Sequence, residues 1–143
     1  MANEHALSDL VAAGYALEAH RPWPRVSVSE ATWRAAVERL AGGRLTLLGL
    51  FGEPQTVHMA LLDEAGGAIA VLSLACPQGR FPTVSAHHLP ALRLERTIFD
   101  LFGLAAEGAL DERPWLDHGA WGVHNPLAAR PRRPAAAEAY PFL

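Results

Sequence analysis

The chain has one cysteine, Cys76, and no lysine; all 12 of its basic residues are arginine. A single thiol cannot close a disulfide within the chain, hold an iron-sulfur cluster on four thiolates or build a multi-cysteine zinc site. Without lysine there is no Schiff-base amine, no lysine general base and no phosphate-loop lysine. A basic surplus is lacking too: the formal net charge is -3 and the pI about 6.1, which argues against a nucleic-acid binder. The longest uncharged apolar runs, residues 45–52 and 65–76, fall far short of the roughly 20 residues a membrane-spanning helix needs. Glu4 and Asp9 stand where a signal peptide would be basic and then apolar, so a cytoplasmic location is expected. No Gly-x-Gly-x-x-Gly follows a strand-like run, and no phosphate loop is present.

What is present suits one water-soluble domain. Half of the 143 residues are hydrophobic and 19% are charged, and a domain of this size buries roughly 70% of its unfolded surface. Leu7, Leu10, Val11 and Ala13 or Gly14 recur at helical spacing, which predicts a short amphipathic helix over 3–16. Pro22 and Pro24 exclude a helix around Trp23, and a brief strand is expected over 25–28. Ser29 is a good N-cap for a second helix with Trp33, Ala36, Val37 and Leu40 as its apolar stripe. Arg34 and Glu38 read as an exposed pair on that helix, and Gly42-Gly43 as its stop. Strand-like runs come next at 44–51, 55–62 and 68–75, the last two joined by a hairpin over 63–67. The third run is apolar on both faces and is expected inside the sheet. Cys76, at its end, reads as a small buried thiol. A third helix should run from Pro90 to Gly103, with Leu94, Ile98, Leu101 and Phe102 on one face. From 105 onward the chain is aperiodic and dense in Gly, Pro, Trp and His.

The expected fold is α+β in two layers: a mixed or mainly antiparallel sheet of four to five strands, helices on one face and a long irregular C-terminal segment. The domain should span 1–125, with 126–143 a Pro/Ala/Arg-rich linker or tail that includes Arg130, Arg132 and Arg133.

The most specific stretch is Leu94-Glu95-Arg96-Thr97-Ile98-Phe99-Asp100-Leu101-Phe102-Gly103-Leu104. It resembles the signature of the small peripheral-arm subunit of respiratory complex I, the NADH:quinone oxidoreductase, and of its hydrogenase counterparts: an acidic-basic pair, then Asp, two bulky apolar residues and Gly. Phe81-Pro82-Thr83-Val84-Ser85 is similar to the family's segment leading into that helix. Glu107-Gly108 and Asp111-Glu112-Arg113 are similar to the family's residues just after the helix, so the likeness runs from about Phe81 to Trp121. Thr97, Ala109 and Pro114-Trp115 depart from the usual pattern. The Asp-Glu-Arg run, Trp121-Gly122 and the closing Tyr140-Pro141-Phe142-Leu143 look more like the variant fused to the large subunit of membrane-bound nickel-iron hydrogenases, of the formate hydrogenlyase or hydrogenase-four type. The resemblance implies a non-catalytic structural subunit or N-terminal domain that binds no cofactor. It would dock on the large subunit and an iron-sulfur subunit of the soluble arm, touching the membrane only through the complex. Glu95, Arg96, Asp100, Gly103, Asp111, Arg113, Trp115 and Trp121 are then the candidate signature or docking residues.

Read as residues, the signature leaves two possibilities. Arg96 and Asp100 can form a solvated i,i+4 pair, worth only about 0.3–0.5 kcal/mol. Alternatively Glu95, Arg96 and Asp100 lie beneath the C-terminal segment and pin its backbone amides and carbonyls, with Gly103 at positive φ launching that segment. Trp115 and Trp121 either pack back on the domain or anchor a partner. A different class of function, a stand-alone small-ligand or metal-binding protein, would use the histidine-rich region after Phe81: His87, His88, His118 and His124, with Asp117 beside His118.

Overall fold

A computed structural model describes residues 6–19 and 21–131. The expected linker beyond 131, with Arg132, Arg133 and the closing Tyr140-Pro141-Phe142-Leu143, lies outside the described residues, as do positions 3–5 of the first expected helix.

The first helix, α1 (Ser8–Ala12), is much shorter than its periodicity suggests. Leu7 and Leu10 turn into the core, but Ala13 is exposed, and the chain leaves the helix to form β1 (Tyr15–Ala16) against β2 (Arg25–Ser27). Gly14 permits this close approach, since a Cβ there would stand 2.8 Å from the Ser27 carbonyl oxygen. Cross-strand pairing thus overrides a helical pattern already weakened by glycine.

The second helix, α2 (Glu30–Ala41), starts as expected: Ser29 Oγ accepts the Thr32 amide. Its stripe of Trp33, Ala36, Val37 and Leu40 is buried. The indole N–H of Trp33 donates to the Pro82 carbonyl at 3.0 Å, and its ring meets Phe81 edge-on. Arg34 pairs with Glu30 at 3.0 Å, not with Glu38 as expected; the preceding acid is also the one favoured by the helix dipole.

Then come β3 (Thr46–Glu53), β4 (Thr56–Asp63) and β5 (Ala68–Ala75). With β1 and β2 they form a mixed sheet in the order β1-β2-β5-β4-β3, in which only β2 and β5 run parallel. The doubly apolar β5 lies inside the sheet, and the β4–β5 hairpin turns where Gly67 adopts φ +72. Val57, Met59 and Leu61 of β4 point into the core with Leu72 of β5, all with no measurable exposure. The core forms between this face of the sheet and the apolar sides of the helices.

One strand pair has no sequence signal. β6 (Arg80–Pro82) and β7 (Ala105–Glu107) make a separate parallel ladder, joined by α3 (Leu92–Phe102) and the short 3-10 turn Leu89–Ala91 before it. Three residues are too few to show a period of two, and the pairing exists only because α3 carries the chain back. No helix among the described residues is long and apolar enough to cross a membrane.

Candidate functional site

The helix expected between Pro90 and Gly103 is there, with Pro90 in the 3-10 turn and Gly103 ending α3 at φ +74. Ile98 is buried in the core, and Leu94 and Phe102 pack against it. A Cβ on Gly52 of β3 would stand 2.8 Å from the Phe102 ring, so glycine lets this helix sit close on the sheet.

The charged residues of α3 are not a solvated pair. Glu95 is 3% exposed and its carboxylate holds the stretch before the helix: it accepts the amides of Val84 and Ser85 and the hydroxyls of Thr83 and Ser85. This corrects the expectation that Glu95 pins the C-terminal segment. Asp100, equally buried, does pin it: Oδ2 accepts three successive amides, from Trp115 (2.7 Å), Leu116 (2.5 Å) and Asp117 (3.2 Å). Arg96 donates to the carbonyls of Arg113 (2.5 Å) and Pro114 (2.7 Å). The i,i+4 pair between Arg96 and Asp100 does not form. Backbone groups of residues 113–117 occupy both side chains, and the nearest acid to Arg96 is Asp111 at 3.6 Å.

The segment is latched again beyond Trp121. Asn125, at φ +51, donates its side-chain N–H to the Phe99 carbonyl at 2.6 Å, and the Leu127 amide bonds the Leu101 carbonyl at 2.8 Å. These close the open carbonyl end of α3. Gly103 fits beneath where a side chain would be strained: a Cβ would lie 3.1 Å from Asn125 Cγ, and the φ is left-handed. Asn125 carries no helix or strand signal in the sequence, although asparagine is among the side chains most tolerant of that φ.

Asp111, Arg113, Trp115 and Trp121 all lie along this strap. Arg113 grips Asp111 through two bonds of 3.0 and 2.8 Å, which holds the Asp111 carboxyl well below the ordinary range, helped by the charge of Arg96. Trp115 is partly exposed beneath two guanidinium groups, with Arg93 at 4.7 Å and Arg96 at 5.3 Å from the ring centroid. Trp121 is partly buried. Asp117 closes its own turn by accepting from Gly119 and from His124 Nδ1 at 3.2 Å. Among the described residues no three histidine, cysteine, aspartate or glutamate side chains converge to hold a metal ion.

A second polar cluster lies across the sheet, where the sequence gives no sign of it. Arg25 of β2, Ser73 of β5, His58 of β4 and Glu53 of β3 form a ring: Arg25 to Ser73 2.9 Å, Ser73 to His58 Nδ1 2.7 Å, His58 Nε2 to Glu53 2.6 Å and Arg25 to Glu53 3.2 Å. The Glu53 carboxylate only accepts, so His58 Nε2 carries the proton between them, while Arg25 donates to Ser73 Oγ. The Nε2–H then points at Glu53, whose carboxyl is lowered first by that bond and further by Arg25. A Ser-His-acid order invites a nucleophile reading. However, Ser73 is 3% exposed and its oxygen already takes the Arg25 N–H, so the ring acts as a staple across four strands. Cys76 is buried, and burial pushes its thiol up to about 11.

The sequence model of the family described as "Respiratory-chain NADH dehydrogenase, 30 Kd subunit" matches residues 26–133. The chain belongs to this family. The match holds the whole strap and α3, and reaches back to Val26, well before the Phe81 where the motif likeness begins, so that α2 and β3 to β5 lie within it too. A solved structure similar to this member of the 30 kDa subunit family is "Nqo5 of the trypsin-resistant fragment (1-134) in P63 form". The TM-score is 0.60 at 21% identity, covering 78% of this chain and 99% of that one; the likeness bears on the fold. No curated protein matches the chain.

Proposed function

We propose that this member of the 30 kDa subunit family is a non-catalytic docking subunit, or the N-terminal domain, of a complex I-like quinone oxidoreductase or a membrane-bound nickel-iron hydrogenase. It supports electron transfer in the soluble arm by holding its large-subunit and iron-sulfur partners, on the cytoplasmic face of the membrane. The observation that carries this reading is the use of the signature charges. Glu95, Arg96 and Asp100 face backbone groups of their own chain, so their chemistry is spent on shaping a surface and not on a substrate. The surface so shaped, from Asp111 through Trp121, presents tryptophan and arginine, the residue types richest in interface hot spots. Residues 1–125 would be the folded body, with Leu127 still latched to α3, and 126–143 a Pro/Ala/Arg-rich linker or tail; the likeness of Tyr140-Pro141-Phe142-Leu143 favours the hydrogenase-type variant.

The test is co-expression of the chain with a complex I-type large subunit and, separately, with a nickel-iron hydrogenase large subunit. Retention of one of them at equal stoichiometry, lost in Trp115→Ala, is the expected result. Failure to bind either by a chain that is folded by circular dichroism would refute the docking role.

A further inference from the structure

The strap face carries enough chemistry to specify what it binds. Arg93 is exposed and stacks over Trp115 at 4.7 Å, and among the described residues it has no carboxylate in ion-pair contact. Arg96, its neighbour on the helix, differs: two of its donors are taken by the Arg113 and Pro114 carbonyls and it stands 3.6 Å from Asp111. Because Arg93 lies over the indole, any protein that covers Trp115 also takes Arg93 out of water. A guanidinium removed from water without a counter-charge is strongly unfavourable, so the covering surface must supply one.

Arg96 also lines a groove of about 210 Å³ between α3 and the stretch from Ala105 to Arg113, which includes β7 residues. Phe99, Ala105, Ala106 and Ala109 make its apolar wall, and Arg96 stands at its border with Trp115. That volume suits one large apolar side chain. Glu112 and Arg113, both exposed, also line the groove and offset one another, so a carboxylate on the partner is favoured at Arg93, which has no acid in ion-pair contact among the described residues.

We infer that this face takes a segment of a protein partner that carries a carboxylate beside a large apolar side chain, the acid seated on Arg93 over Trp115 and the apolar group in the groove beside Phe99. The inference rests on the docking reading and adds the partner's chemistry to it. The probe is the large subunit that the chain retains in co-expression, titrated against the purified chain at low and high salt. Arg93→Glu should weaken binding by about 30-fold or more, and Ala109→Trp, which fills the groove, by about 10-fold or more. Wild-type affinity should also fall as salt rises. Slow exchange of the Trp115 amide in both variants confirms that the strap is intact. Wild-type affinity in either variant, with the complex still forming, overturns the inference and leaves docking by another face. A wild-type chain that binds no large subunit overturns the docking reading and this inference with it.

Discussion

Asp100→Ala tests the strap directly. One carboxylate oxygen receives the amides of Trp115, Leu116 and Asp117. Bonds to a charged acceptor contribute about 1.5–3 kcal/mol each when buried. Here the three share one oxygen and Trp115 and Leu116 are partly exposed, so water can replace much of each bond, and about 1 kcal/mol apiece is the better figure. The sum, about 3 kcal/mol, is a factor of roughly 100 in the opening equilibrium of the strap. Hydrogen exchange measured residue by residue is the assay. The amides of residues 115–117 should exchange roughly 100 times faster in the variant. Those of β4 and β5, to which the Asp100 carboxylate makes no hydrogen bond among the described residues, should be little changed. Unchanged exchange at 115–117 would refute the latch, and equal acceleration across β4 and β5 would show that Asp100 supports the whole fold and not the strap.

Glu95→Ala leaves the amides of Val84 and Ser85 without their acceptor in a buried place; stability should fall by about 3 kcal/mol or more and Tm by about 10 °C, read by calorimetry. Gly103→Ala forces a side chain into a left-handed φ against Asn125 and should cost about 1–2 kcal/mol in denaturant unfolding. Cys76, buried and with its thiol raised to about 11, should resist alkylation at pH 8 in the native state and react at once in denaturant. The pKa of Glu53 is lowered in the fold from its ordinary 4.5. Its contribution is therefore present above that value and lost as pH falls through the folded one. Acid titration of stability should be shallower below about pH 4.5 in Glu53→Gln than in wild type. The difference should be small, because the Glu53 side chain is 55% exposed.

Much of the candidate site is legible in the residues from Leu94 to Leu104. The apolar stripe, the Pro90 start and the Gly103 stop are local signals, and local signals survive folding. The partners of Glu95, Arg96 and Asp100 are not local: they are backbone groups 10–18 positions away, brought near by the turn before α3 and the return after it. That is why spacing leaves a solvated pair open, and why it places Glu95 on the wrong segment. Asn125 acts on α3 from 26 positions downstream, and no pattern within its own stretch announces that role. The His58 ring is more hidden still, since Arg25, Glu53, His58 and Ser73 come from four strands and meet only once their register is set.

By itself, the sequence determined the composition limits, the α+β class, the interior position of the Ala68–Ala75 strand and the family to which the chain belongs. Each of these depends on residue type or on spacing within a few turns. Only the tertiary structure decided that α1 stops at Ala12, that Arg80–Pro82 pairs with Ala105–Glu107 and that the signature charges serve as latches. The physical reason is one of competition: a charged side chain can face water, another charge or a distant amide, and the choice among them depends on which groups the fold has removed from water nearby.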